Sequence, residues 1–297
     1  MTDDNAPDAA VRRLVELLDL EELDDNLFRS LRQEEGWKRV YGGQVLGQAL
    51  VAATRTVDAE RKAHSLHAYF ILPGDPDAPI LYQVERARDG RSFATRRVVA
   101  IQHGRPIFNL SASFHVEEPG FAHQAPMPVV PGPDGLLSDR ELLERHADLL
   151  PADRRAFLLR PRAFELRPVE PYATATVAPH PPRQHAWLRV PTRLPDDPAL
   201  HRCYLAFISD MFLVATATLP MPISLHDPRL MMASLDHAMW FHGDARVDEW
   251  LLYAMESPRA GGARGLARGL VYTRDGRLVA TVAQEGLIRM SRDGASV

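Results

Sequence analysis

One order of elements runs through this sequence twice, and that recurrence constrains the fold more than any single motif. After Gly42 and Gly43, a segment from Gln44 to about Val57 is apolar on most sides, as a helix enclosed by protein is. Four strand-like runs follow at 64–72, 79–87, 93–102 and 106–116, separated by the turn signals Pro73-Gly74-Asp75, Asp89-Gly90 and His103-Gly104. In the last run Phe108, Leu110, Ala112, Phe114 and Val116 alternate with polar residues, the period of a half-buried strand. A second apolar helix at 200–216 then precedes runs at 235–242, 249–257, 263–273 and 277–289. Residues match across the copies: His67-Ala68 with His237-Ala238, Gly74-Asp75 with Gly243-Asp244, Tyr82 and Glu85 with Tyr253 and Glu256, Gly104 with Gly276. Their offset drifts only from 169 to 172, as short loop insertions produce.

A helix followed by antiparallel strands, twice over, predicts an α+β pseudo-dimer of two sheets, each wrapping its own apolar helix, paired edge to edge or face to face. The expected units are 9–118 and 161–292, joined by a connector at 119–160. An opening helix at 9–20 places Val11, Leu14, Val15 and Leu18 at helical spacing. Five prolines between 117 and 137 predict extended chain, and Ser138 with Glu141 has capping-box spacing for a short helix. Strand-like FELRPVE (164–170) and HAWLRV (185–190) lead into the second apolar helix.

A chain of 297 residues is long enough to bury a core without disulfides or metals. With 35 basic against 39 acidic residues, a globally basic nucleic-acid binder is not expected. The single cysteine, Cys203, cannot form an internal disulfide, which fits a reducing compartment, and it reads as a small core residue. The most apolar stretch, Tyr204 to Pro220, is short for a membrane span and carries Asp210 in its middle, so it reads as buried helix and no stable membrane insertion is expected. The acidic MTDDNAPDAA start lacks an apolar secretory core and the final DGASV is no peroxisomal address, so a cytoplasmic location is expected. No G-x-S-x-G elbow, Walker A loop or strand-following G-x-G-x-x-G occurs. His64/His67 and His237/His242 sit at odd separations on strands, and no H-x-x-x-H or C-x-x-C appears, so no metal is expected. Arg259, Arg264 and Arg268 form a basic run that fits a solvated face or contact with ligand phosphates.

Three polar residues break the apolar faces. At offset 172, Gln284 falls where the first copy has Ala112. A buried amide there needs partners, as a satisfied core amide or a functional one has. Asp210 is flanked by Ile208, Phe212 and Leu213 and is left little solvent-facing arc. It reads either as a cap near a helix end or as a perturbed functional acid. Ser234 precedes the LDHAMW run and alone reads as a turn or cap residue.

The segments VYGGQVLGQAL (40–50), HSLHAYFILPGD (64–75), RDGRSFATRRV (88–98), LDHAMWFH (235–242) and DEWLLYAMES (248–257) resemble the acyl-CoA thioesterase II family, from about Leu14 to Arg289. The resemblance implies a tandem, double-hotdog fold and hydrolysis of fatty acyl-CoA to fatty acid and CoA by direct activation of water, without metal or organic cofactor. By motif, the family's aspartate, hydroxyl residue and glutamine fall on Asp210 (ISDMF), Ser234 (ASLDHAMW) and Gln284 (VAQEG). Gly42 and Gly43 are substrate-approach candidates, or else a turn into the helix, and His67 near the same seam is a further binding candidate. Ala112 and His64 occupy the first-half positions matching Gln284 and Ser234, which predicts one competent site per chain. A homodimer or homotetramer is expected. The competing reading is a non-catalytic acyl-CoA-binding or sensing protein of the same fold.

Overall fold

A computed structural model of the chain describes residues 7–31, 39–150, 152, 155–170 and 178–291. Helix α1 (Pro7–Leu18) leads into a hairpin of β1 (Leu20–Asp24) and β2 (Leu27–Ser30), then α2 (Gly42–Thr54) and strands β3 (Arg61–Phe70), β4 (Leu81–Asp89), β5 (Phe93–Gln102) and β6 (Arg105–Val116). The connector carries α3 (Asp139–Arg145), a 3-10 turn at Ala147–Leu149 and α4 (Arg155–Leu158). Strands β7 (Glu165–Pro168) and β8 (Arg183–Arg189) precede α5 (Pro198–Ser209) and a 3-10 turn at Val214–Thr218. Strands β9 (Leu230–Ser234), β10 (Asp236–Phe241), β11 (Leu251–Gly261), β12 (Arg264–Thr273) and β13 (Leu278–Met290) complete the chain.

The duplication is fuller than its sequence signature. Two strands precede each central helix, and β1–β2, which no alternation announced, answer β7–β8. The two sheets pair edge to edge into one thirteen-stranded sheet, in the order β1-β2-β4-β5-β6-β3-β10-β13-β12-β11-β8-β7, with β9 pairing β13. Read from either end, this order is the same apart from β9. The seam is β3 against β10, antiparallel, with Leu66 opposite Met239. Main-chain hydrogen bonds across that seam leave no open edge between the halves.

Helices α2 and α5 pack against one another. Glycine at 43 and 47, one turn apart, makes the approach possible: a β-carbon on Gly43 would stand 2.2 Å from Phe207 O, and one on Gly47 would stand 3.3 Å from Cys203 O. Leu46, Ala49, Leu50, Ala206 and Ile208 fill the space between the helices and the inner sheet face. Cys203 is buried among them, its thiol pushed up to about 12 by burial. In α1 the buried stripe is Val11, Leu14, Leu17 and Leu18, whereas Val15 is exposed. Residues 117–132 form no helix or strand, and Ser138 caps α3 with both hydrogen bonds of the capping box in place.

The second apolar helix is shorter than its hydrophobic run. It ends at Ser209, Asp210 is its C-cap, and Phe212 takes a left-handed φ of 64° before the 3-10 turn begins. That break lifts Asp210 out of the helix barrel to its end, where a carboxylate can face a cleft. Among the described residues no helix is long and apolar enough to cross a membrane. The terminal segments 1–6 and 292–297 lie outside the described residues.

Candidate active site

At the end of α5, Asp210 meets two side chains from the second half's sheet. Gln284, on the inner face of β13 and fully buried, donates from Nε2 to Asp210 Oδ1 at 2.5 Å. Ser234, the last residue of β9, donates from Oγ to the same oxygen at 3.2 Å. The pairing that puts Ser234 opposite Gly286 sets it beside Gln284 on β13. The structure therefore brings the three sequence-derived residues together, with both donors bound to the carboxylate itself. Ser234 is a strand terminus and not an isolated turn residue, because β9 adds to β13 ahead of the seam strand. Gln284 Oε1 is buried with no hydrogen-bond partner among the described residues.

The remaining carboxylate oxygen faces the first half. A β-carbon on Gly42 would lie 2.8 Å from Asp210 Oδ2 and 3.1 Å from the Phe70 ring. Gly42 opens α2, whose N-cap Tyr41 makes no side-chain capping bond. The first N–H groups of a helix have no intrahelical partner, and the helix dipole leaves that end partly positive. Antiparallel packing of α2 and α5 thus sets a helix N-terminus beside the acid. Gly43 has a different role, since it lies under Phe207 at the helix contact.

Two residues absent from the sequence-derived set hold Ser209, the neighbour of Asp210. His237, fully buried on β10, bonds through Nε2 to Ser209 Oγ at 2.9 Å, and Ser209 Oγ donates to Ala206 O at 2.8 Å. With that hydroxyl hydrogen committed, Nε2 carries the imidazole proton. Burial lowers the His237 pKa to about 4, although the nearby Asp210 charge opposes the shift. Tyr253 on β11 donates its hydroxyl to Ser209 O at 2.9 Å. The sequence signal was the inward period of β10, in which His237 alternates with exposed Trp240 and half-buried Asp236.

His67 is not brought to this site. Its neighbours Leu66 and Ala68 face the core, so period 2 turns His67 to the outer face, where its ring packs edge-on against Trp240 at 5.2 Å. Arg264 and Arg268 pair with Glu285 and Glu256 on the same exposed side. Among the described residues no group of three or more His, Cys, Asp or Glu is placed to hold a metal ion.

The equivalent location in the first half is built differently. Register makes Ala63, opposite Phe114, the counterpart of Ser234, because a bulge between Ala63 and Ser65 displaces His64 to the side where it bonds Ser113 Oγ. Ala112 stands where Gln284 does, and its β5 neighbour is Arg96, where β12 has Ala267. Arg96 is 1% exposed and donates to Thr56 Oγ1, Thr56 O, Arg88 O, Thr95 O and Asp89. Thr56 follows the C-cap of α2 much as Met211 follows Asp210. The N-terminus of α5 at this end is occupied too, by Pro198 and by Asp197 accepting from the Ala199 and Leu200 N–H groups.

Residues 166–287 match the acyl-CoA thioesterase family and residues 33–115 match the acyl-CoA thioesterase N-terminal domain. The human protein named acyl-coenzyme A thioesterase 8 is 43% identical over 92% of this chain and 88% of its own length. Acyl-CoA thioesterase 2 of Haemophilus influenzae is 39% identical over 95% of this chain and 98% of its own. The acyl-CoA thioesterase II structure from Mycobacterium marinum superposes with a TM-score of 0.76 at 42% identity, covering 93% of this chain and 98% of that one. A more distant structure with a hot dog fold, from Alicyclobacillus acidocaldarius, shares only 18% identity at a TM-score of 0.74, so the architecture outlasts the sequence. With the sheet, the paired helices and these matches along nearly its whole length, the chain belongs to the acyl-CoA thioesterase family.

Proposed function

We propose that this chain hydrolyses fatty acyl-CoA thioesters with Asp210 as general base, Gln284 and Ser234 holding that base in place, and the N-terminus of α2 receiving the oxyanion. The observation that carries the reading is the division of labour on one carboxylate. Oδ1 accepts from Gln284 and Ser234, while Oδ2 faces Gly42 of the other half.

A water at Oδ2 gives one proton to Asp210, and its oxygen attacks the thioester carbonyl. General-base assistance of this kind contributes roughly 10²–10⁴-fold. The carbonyl oxygen becomes an oxyanion against the first N–H groups of α2, where an absent side chain at Gly42 permits close approach. Collapse of the tetrahedral intermediate breaks the carbon–sulfur bond, and the proton held by Asp210 goes to the departing thiolate. The products are the fatty acid and CoA, and no cofactor enters the balance.

We assign the two hotdog units to 9–118 and 161–292, with 119–160 as the connector between them. Fatty acid metabolism in the cytoplasm is the setting, supported by the single, unpairable Cys203. Exposed Tyr69, Ile71 and Trp240 beside the seam support a homodimer or homotetramer. Release of free thiol from acetyl- to palmitoyl-CoA, by the wild type and Asp210→Asn in parallel, tests the reading. Turnover that falls by two orders of magnitude or more in the variant is expected. Equal turnover removes Asp210 as base, and binding without thiol release returns the sensing alternative.

A further inference from the structure

Helix α5 ends on Ser209, and the sheet takes hold of that residue at two atoms. His237 Nε2 donates to Ser209 Oγ at 2.9 Å, and the Tyr253 hydroxyl donates to Ser209 O at 2.9 Å. The last carbonyls of a helix have no intrahelical partner, so the Tyr253 bond satisfies one that would otherwise be orphaned. Met211 N closes the final turn onto Ile208 O at 2.9 Å, with Asp210 between them as the C-cap. The point at which Asp210 leaves the helix is therefore fixed from β10 and β11 together.

The first half supplies an internal comparison. Tyr82 lies opposite Ala100 and Val84 opposite Val98, as Tyr253 lies opposite Val271 and Met255 opposite Gly269, an offset of 171 throughout. At the seam Leu66 faces Met239 and Ala68 faces His237, so the same offset of 171 puts Leu66 at the place of His237. Two buried aliphatic residues of the first half, Leu66 and Val98, are thus exchanged for histidine and glycine. The exchange is concerted. A β-carbon on Gly269 would stand 2.2 Å from Tyr253 Cε2, so the missing side chain lets the ring settle where its hydroxyl reaches Ser209 O. Tyr82 instead donates to the Gln48 side chain, inside α2, at 2.6 Å. The same residue type at the same strand position reaches a helix interior in the half without the acid, and a helix end in the half with it. Burial, then the Asp210 charge, raises the Tyr253 phenol well above its ordinary value, which keeps it a donor.

We propose that His237 and Tyr253 are positioning residues of the hydrolysis, acting through Ser209 to hold Asp210 with Oδ1 on Gln284 and Ser234 and Oδ2 toward Gly42. The inference rests on the thioesterase reading above. Neither residue bonds the carboxylate, and their effect is on its placement. Displacement of a reacting group by about 1 Å can cost roughly a hundredfold in rate.

The test sets Tyr253→Phe beside Tyr82→Phe, since each deletes one hydroxyl bond from a buried ring. Octanoyl-CoA is the substrate for thiol release, and amide hydrogen exchange at Met211 is measured alongside. We expect kcat to fall by about tenfold or more in Tyr253→Phe with KM little changed, and to stay within about twofold of wild type in Tyr82→Phe. His237→Leu, which installs the first half's residue, should lose about tenfold in kcat, and His237→Gln, which keeps a donor toward Ser209 Oγ, should recover most of it. Combined with Ser209→Ala, His237→Leu should add no further loss, whereas Tyr253→Phe should add its own, because its partner is a main-chain oxygen. Equal losses in the two tyrosine variants, or a full additional loss from His237→Leu on Ser209→Ala, overturn the proposal. Should His237→Leu not fold, the tyrosine pair decides alone. If the wild type releases no thiol from any acyl-CoA, the thioesterase reading fails, and exchange still decides the positioning. Exchange at Met211 about tenfold faster in Tyr253→Phe but not in Tyr82→Phe upholds the hold on the helix end, and equal rates overturn it.

Discussion

Gly42 and Asp210 come from opposite halves of the chain, yet a β-carbon on the first would lie 2.8 Å from Oδ2 of the second. The acid therefore faces bare backbone at a helix start. Gly42→Ala should lower kcat by about ten- to a hundredfold while leaving thermal stability unchanged or slightly raised, since alanine favours helix over glycine by about 1 kcal/mol. Steady-state kinetics beside thermal melting checks it, and a parallel loss of stability and activity would contradict a local effect on the acid.

Gly43→Ala should behave in the opposite way. Its β-carbon would stand 2.2 Å from Phe207 O, a main-chain atom that cannot swing aside, and 2.5 Å from the Tyr41 ring. Overpacking of this kind costs about 3 kcal/mol, through separation of α2 from α5. Urea denaturation would register the loss as a lower midpoint.

Removing either donor to Asp210 Oδ1 should slow the chemical step. Gln284→Ala deletes a 2.5 Å bond and the buried carbonyl oxygen, and a loss of about two to three orders of magnitude in kcat is expected. Ser234→Ala deletes the 3.2 Å bond and should cost about one order, with Ser234→Thr retaining most activity. Full activity in Gln284→Ala would exclude it from the machinery.

His237 sets an acid limit on stability. Its folded pKa, lowered to about 4, lies below the ordinary value of 6.5, so the unfolded chain takes up a proton first as pH falls. The contribution is complete above pH 6.5 and is lost between 6.5 and 4, amounting to at most about 3 kcal/mol. His237→Gln, which keeps a donor toward Ser209 and cannot titrate, should flatten the decline of melting temperature between pH 7 and 5. An unchanged slope would assign that decline to other groups.

Arg96 is expected to hold structure and not to take part in catalysis. Arg96→Ala should destabilise the fold by about 3 kcal/mol, because the acceptors around Thr56 lose their buried donor. The kcat of the folded fraction should stay within about twofold of wild type. Ala112→Gln, which restores the amide but not the acid, should create no second active centre, as burst or active-site titration would report.

Much of this was legible in the residues. The strands β3 to β6 and β10 to β13 stood out by alternation and turn signals, and the capping box of α3 by the Ser138–Glu141 spacing. The short β1, β2 and β9 were not, because four or five residues give alternation too little length to register. The end of α5 was hidden for another reason. Apolar residues continue through Leu219, and only the backbone turn at Phe212 separates helix from 3-10 turn. Gln284 drew attention by interrupting an apolar face, whereas Ser234 was picked out by the family resemblance alone, and the register of β9 on β13 explains its place. His67 misled because its motif lies on the seam strand while its side chain faces outward. His237 was read only as a repeat match and a histidine unsuited to a metal, and Arg96 drew no reading, because a buried polar residue on a strand shows its role only through its partners.

A symmetric assembly of two identical half-length chains would have to place Arg96, Ala112 and the Asp197 cap, or their active counterparts, at both ends of the helix pair. Joining the halves through β3 and β10 in one polypeptide lifts that obligation. One end is free to become a rigid plug that secures the helices, and the other to keep an acid and an open helix terminus that such a plug would block. The hidden symmetry of the sheet is thus the ground on which the two ends were able to diverge.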